Sequence, residues 1–160
     1  MINREDKMKN KGFSLIEVCI GIALVGIMVG IGGPKIRKYI ASAKDTKAIA
    51  TIGALRTASE LYYSENDTSV YIASDENDII DALAKLEDYL DTKTFNNVKN
   101  GKIEVGGFQD EAGAITYGGE IPLSFENPNP SGKSGDGVYI WFAPEENQVF
   151  DTKGNKWSEY

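Results

Sequence analysis

The sequence predicts an α+β protein: a long N-terminal helix, apolar in its first half and amphipathic in its second, packed on a small antiparallel β-sheet. Three observations carry this. Sixteen residues without a charge run from Val18 to Gly33. A stripe of apolar residues, spaced mostly by three and four, then runs from Ile36 to Tyr62. Beyond Leu90 the chain changes to short β-prone runs separated by glycine, proline and asparagine.

The helix is expected from Phe13 to about Asn66. Its first half, 13–34, is apolar on every face, as suits a segment buried in lipid or among other helices. By intrinsic preference it is a poor helix. Gly21, Gly26, Gly30, Gly32 and Gly33 each cost up to about 1 kcal/mol relative to alanine, and Pro34 lacks the N–H that would bond residue 30. Lipid compensates, because an unpaired backbone group there costs several kcal/mol. Once the segment leaves lipid for a protein environment that pressure relaxes, and Gly26–Pro34 is where helicity is expected to be lost. The same glycines also permit close helix packing, and both roles can hold.

The second half, 35–66, carries Ile36, Ile40, Ala43, Ile49, Ile52, Leu55, Ala58 and Tyr62 as the face expected to meet the sheet. Lys44, Lys47, Arg56 and Glu60 fall mainly on other faces. The polar run Glu65–Ser69 ends the helix. A globular head, 67–160, follows. In it a short helix is expected over about 77–90, capped by Asp75 or Asn77, with Ile79, Ile80, Leu83, Leu86 and Leu90 inward. Strands are expected at Lys102–Val105, Ala114–Tyr117, Ile121–Phe125, Val138–Phe142 and Gln148–Asp151, with a long loop at Glu126–Gly137.

Composition narrows the function. Lys plus Arg number 17 and Asp plus Glu 24, a net charge of −7. Such a surface repels phosphates and disfavours direct nucleic-acid binding. There is no histidine, and the one cysteine, Cys19, lies inside the apolar run, where a thiol behaves as a small hydrophobe. The head therefore lacks a disulfide, a thiol nucleophile, an imidazole base and the usual zinc ligands. No catalytic residue is identified, and a non-enzymatic role is expected.

Other signals resolve to bland readings. Gly132-Lys133-Ser134 looks like the end of a phosphate-binding loop, but position 127 is asparagine where the upstream glycine belongs. Glu126, Asp136 and Asp151 are candidate oxygen donors for Ca²⁺, yet their spacing matches no calcium loop, and solvated acids are the favoured reading. Tyr62, Tyr63, Trp141 and Trp157 are read as packing residues.

The most informative stretch is Lys11-Gly12-Phe13-Ser14-Leu15-Ile16-Glu17, a basic head, a glycine and one carboxylate just inside the apolar run. An ionisable residue at such a depth is by default functional. The far end of the run, Gly32-Gly33-Pro34-Lys35, offers no Ala-x-Ala cleavage site, so any cut lies before the run. This stretch resembles the N-terminal signature of type IV prepilins and pseudopilins. The resemblance implies a type IV pilin-like fold, removal of the leader 1–12 by a prepilin peptidase acting between Gly12 and Phe13, and N-methylation of Phe13. It makes Glu17 the assembly residue, paired with the amine of Phe13, and it sets Pro34 where many pilins carry a kinking proline. It is strong from Lys11 to about Tyr63 and loose beyond, where an aspartate–glycine turn before Trp157 looks similar to the ends of pilins without disulfides.

Cutting after Gly12 removes Arg4, Lys7, Lys9 and Lys11 with Glu5 and Asp6, leaving 13 basic and 22 acidic residues, net −9. Met8 opens a wholly basic leader of its own, so translation from Met1 or from Met8 both stand. Positive residues before the run favour a cytoplasmic leader and an exported head. The implied partners are further copies of the chain, the peptidase, an inner-membrane assembly platform and, before assembly, membrane lipid. The expected function is a subunit polymerising from the bacterial inner membrane into a pilus-class surface filament. The alternatives are a type II secretion pseudopilin acting as a periplasmic piston, a DNA-uptake pseudopilin or minor tip pilin, and an anchored binding domain that never polymerises.

Overall fold

The computed structural model of the chain describes residues 12–72, 79–128 and 136–160. A single helix, α1 (Leu15–Asn66), runs unbroken through Pro34. Then come α2 (Ile79–Ala84), a 3₁₀ turn at Glu87–Tyr89, and α3 (Thr92–Val98). The strands are β1 (Lys102–Glu104), β2 (Gly107–Gln109), β3 (Ile115–Tyr117), β4 (Glu120–Ser124) and β5 (Trp141–Phe142), and a second 3₁₀ turn, Trp157–Glu159, follows them. This is the α+β fold expected: a long N-terminal helix and a small antiparallel sheet.

The chain divides into two compact units, Met1–Arg37 and Lys38–Tyr160. In the second unit β4 lies between β1 and β5, all antiparallel, with Ile103 opposite Ile121 and Leu123 opposite Phe142. β2 and β3 form a separate two-stranded hairpin. The inward residues of these strands join Ile52, Leu55, Leu83, Leu86, Val98, Ile140 and Trp157 in one core. At about 25 cal/mol for each Å² of apolar surface removed from water, this core is the main cohesive term of the head.

The buried face of α1 is Ala41, Asp45, Ala48, Ile52, Leu55, Ala58 and Ser59, with Ile49 and Tyr62 packed at its edge. The expected face is correct from Ile49 to Tyr62. It is wrong at Ile36, Ile40 and Ala43, which are exposed. Helix geometry turns them away, since at about 100° per residue all three lie roughly 120–180° around the helix from Ile52. A Cβ on Gly106 would lie 1.9 Å from the Ala41 carbonyl oxygen. The β1–β2 turn thus presses onto the helix where only small side chains fit, and Ala41 faces inward instead of Ile40.

Three other expectations change. The helix expected over 77–90 is α2 followed by a tightened turn, in which Leu86 N–H bonds Leu83 O at 3.0 Å, so that Leu83 and Leu86 are both buried while Ile80 stays exposed. Its expected caps, Asp75 and Asn77, lie outside the described residues, as do 129–135 of the long loop, including Gly132-Lys133-Ser134. The strand expected at Val138–Phe142 shrinks to β5, because the Val138 and Tyr139 N–H groups donate to Asp136 Oδ1 at 2.9 and 3.0 Å in a turn. The strand expected at Gln148–Asp151 is reduced to single bridges from Phe150 to Gln109 and Lys156. Two elements escaped sequence reading: β2, hidden behind Gly106-Gly107, and α3, capped by Asp91 Oδ1 accepting from Lys93 and Thr94 N–H.

Candidate functional site

The N-terminal motif begins in an extended lead-in, Gly12–Ser14, and enters α1 at Leu15. Ser14 holds the cap position and Glu17 the third helical residue, the spacing of a capping box. The Ser14 N–H donates to Glu17 Oε2 at 3.0 Å. A helix start leaves several N–H groups unsatisfied, and a carboxylate there is further favoured by the helix dipole. Glu17 therefore has a local task within one subunit, closing the first turn with its side chain. Sequence reading missed this role, although Ser-x-x-Glu was its signal.

From Phe13 onward nothing covers the apolar side chains. Phe13 is 86% exposed, and Leu15 through Ile31 include eleven more large hydrophobics that are each about half exposed or more. An 18-residue window of this helix has a mean hydropathy of 2.4, none of it buried, which is long and apolar enough to cross a membrane by length and composition. Cys19 is exposed in the same run. A Cβ placed on Gly21, Gly26, Gly30, Gly32 or Gly33 meets nothing within 4 Å. Packing within the subunit requires none of these glycines, and each one costs helix stability.

The head shows the opposite economy: its polar groups are used internally. Asp45, buried on α1, accepts from Gly106 N–H at 2.7 Å and from the Thr152 N–H and hydroxyl, clamping the helix to the β1–β2 turn and to the C-terminal loop. Asp151 accepts from Lys153 and Asn155 N–H at 2.8 Å, from the Asn155 amide at 3.1 Å and from the Tyr160 hydroxyl at 2.7 Å. Burial alone would push its carboxyl up, but these donors outweigh burial and hold it below the usual carboxylate range. Burial, and then the bond to Asp151, push the Tyr160 hydroxyl up to about 12. Trp157 is wholly buried, edge-on to Phe142 at 4.9 Å and tilted against Tyr160. The tail is pinned by tryptophan and one aspartate where a disulfide would otherwise serve.

The calcium reading fares differently at each residue. Asp151 is buried and saturated with donors, not solvated. Asp136 caps its own turn, and Glu126 is exposed. Among the described residues no group of three or more His, Cys, Asp or Glu is placed to hold a metal. The aromatic residues divide as well. Trp157 and Tyr62 pack on the core, Trp141 lies tilted against Tyr139 at 4.7 Å, and Tyr63 is 46% exposed. Arg56 lies over the Tyr139 ring at 4.1 Å and donates to Ile140 O at 2.8 Å, with burial holding its pKa below the ordinary arginine value.

Comparison with known proteins bears on the N-terminal motif and on the chain as a whole. The family model for the prokaryotic N-terminal methylation motif matches residues 7–33. A fimbrial protein of Pseudomonas aeruginosa is 30% identical over 128 residues, covering 73% of this chain and 80% of that one. The chain belongs to the type IV pilin family. It is also 39% identical over 59 residues to the type IV major pilin protein PilA of Myxococcus xanthus, covering 37% of this chain and 27% of that protein. With the type IV major pilin protein PilE1 of Neisseria gonorrhoeae the identity is 39% over 75 residues, 43% of this chain and 46% of the relative. These two matches therefore take in less than half of either relative's length. No solved structure matches. As a pilin the chain has the fold its sequence predicts, and its relatives are structural subunits.

Proposed function

We propose that this pilin is the structural subunit of a type IV pilus-class surface filament, assembled from the bacterial inner membrane. One observation carries the reading: a helix whose apolar side chains from Phe13 to Ile31 are all exposed in the single chain, within the stretch that the methylation motif matches. Such a surface is stable only in lipid or among other copies. In this reading 1–12 is a leader removed between Gly12 and Phe13 by a prepilin peptidase, and Phe13 is N-methylated. The segment 13–34 anchors the subunit in lipid with the head exported, until an inner-membrane platform hands it to the filament. The amphipathic part, 35–66, and the head, 67–160, do no catalysis.

Glu17 then has two successive partners. In the subunit it closes the first helical turn by accepting from Ser14 N–H. Cleavage creates a positive amine at Phe13, and in the filament Glu17 takes the amine of a neighbour. Apolar burial supplies the cohesion, while the charge pair fixes register, since leaving one partner of a buried pair alone costs about 3–5 kcal/mol. The glycines and Pro34 supply the give: Gly26–Pro34 is the part of α1 that loses helicity on leaving lipid.

The test is intact-mass analysis of protein from its host together with imaging of sheared cell-surface material. The expected mass is that of a chain beginning at methylated Phe13, found in filaments outside the cell. A mature protein retaining Lys11 contradicts the processing. Processed protein in short periplasmic assemblies alone makes it a secretion pseudopilin, and processed protein that stays monomeric in the membrane makes it an anchored domain.

A further inference from the structure

Charge is segregated along α1 in a way that helix stability does not explain. Between Lys35 and Arg56 six basic side chains stand against one acid, the buried Asp45, whereas from Ala58 to Asn66 the charged residues of the helix are two acids, Glu60 and Glu65. Lys35, Arg37, Lys38 and Lys47 are all exposed, while the nearby Lys44 is engaged internally with Glu104. At the other end of the helix Glu60, Glu65 and Asp67 are exposed. A helix C-terminus is the negative end of the dipole and favours cations. α1 has no basic residue in its last turn and carries Glu65 there. The Tyr89 hydroxyl donates to Glu65 at 2.6 Å, tying the 3₁₀ turn with exposed Glu87 and Asp88 to this end of the helix.

Each charged stretch is interleaved with uncovered apolar side chains. Ile36, Tyr39 and Ile40 accompany the basic residues, at 59, 75 and 56% exposure, and Leu61 and Tyr63 accompany the acidic ones. Each stretch therefore sets charge beside uncovered apolar side chains, as an apolar contact with a polar rim does.

We propose that the basic stretch of α1, Lys35–Lys47, docks a second copy of this chain through that copy's acidic end, formed by the last turns of its α1 and the turn Glu87–Tyr89. The proposal rests on the filament reading and says which surfaces meet. At 1.5 Å per residue, Lys38 and Glu65 stand about 40 Å apart along the helix, so the two patches are distinct surfaces. Joining different patches of identical subunits is a head-to-tail contact, and when the rotation does not close it repeats into an open filament. Opposite potentials steer this register, and the side-by-side register, which sets like against like, is penalised. An anionic lipid surface also attracts Lys35, Arg37 and Lys38 beside the apolar run. It leaves the acidic helix end without a purpose.

The test uses the full chain, expressed where the wild type forms filaments. One set is Arg37→Glu with Lys38→Glu and Lys47→Glu; the second is Glu60→Lys with Glu87→Lys and Asp88→Lys; the third combines both. Each of the first two is expected to lower sheared-filament yield by about tenfold or more with membrane levels of subunit unchanged, and the combination to recover most of it, as coupled charge pairs do. Should a reversed set fail to accumulate, the corresponding glutamine substitutions are read in the same way, with smaller losses. Wild-type yield from either set overturns the docking, and so does a combination that recovers nothing. Loss confined to the basic set, accompanied by loss of binding to phosphatidylglycerol vesicles, makes lipid the occupant and also overturns it. Absence of filaments from the wild-type chain itself overturns the filament reading instead.

Discussion

The two units of this chain solve the burial problem in opposite ways. In Lys38–Tyr160 large apolar side chains such as Leu55, Leu86, Ile121, Phe142 and Trp157 are covered to 2% exposure or less, and buried acids such as Asp45 and Asp151 are matched by donors of the same chain. In residues 12–37 the apolar residues are uncovered, and the glycines face open space. The first region is covered by its own sequence, and the second leaves its apolar side chains to be covered from outside the single chain. A substitution in the head should therefore be read out in one molecule, whereas a substitution in the apolar run should be silent until subunits meet.

The sharpest test of the self-contained region is Gly106→Val. Its side chain would have to occupy the space of the Ala41 carbonyl, so backbone must move, and a fragment beginning at Lys38 is expected to lose about 4 kcal/mol or more. Thermal or denaturant melting of that fragment reads this directly. An unchanged midpoint would mean that the helix does not press on the β1–β2 turn. Trp157→Ala comes next, with a loss of about 3–5 kcal/mol on emptying a fully buried site. The melt should stay cooperative and indifferent to reductant, because the head contains no cysteine. A small effect would mean that the tail is not pinned by this residue.

A milder effect comes from pH. Asp151 is held below its ordinary pKa when folded, so its contribution is present at neutral pH and fades as pH falls through the folded value. Tyr160 is raised from 10.0 to about 12, so its contribution is present below pH 10 and is lost as pH climbs toward 12. Tyr160→Phe should flatten the alkaline limb of the stability profile of the fragment and weaken the acid limb, since Asp151 loses one donor. An alkaline limb left intact by the substitution would assign it to another group.

The contrast between the regions also explains what the sequence revealed. The apolar run, the Lys11–Glu17 motif and the inner stripe from Ile49 to Tyr62 are visible because lipid burial and helical burial both select hydrophobic residues at regular spacing. Trp157 was legible as a packing residue, and it is wholly buried in the core. Asp45 was not, since a charged residue reads as surface unless its partners, here Gly106 and Thr152, are known to converge on it from far along the chain. The outward turn of Ile36 and Ile40 was legible and overlooked: at about 100° per residue both lie roughly 120° or more around the helix from Ile52, while the close approach of Gly106 to Ala41 leaves no trace in the periodicity. Asp136 likewise shortened a strand by taking two N–H groups that the β-prone run Val138–Phe142 had been expected to give to the sheet. The second role of Glu17, as the residue that closes the first turn, was written in Ser14-x-x-Glu17 and overlooked beside the larger question of a carboxylate in lipid.

The central claim, a finished head on an unfinished helix, is tested most directly by Glu17→Ala in the full chain, measuring sheared filaments and head stability side by side. Loss of the Ser14 N–H bond costs only the closure of one exposed turn, roughly 1 kcal/mol, and touches nothing in the head. Cleavage, membrane insertion and head melting are therefore expected to be unchanged while filament yield collapses. Filaments at the wild-type level would contradict the account, leaving Glu17 a capping residue with no part in assembly.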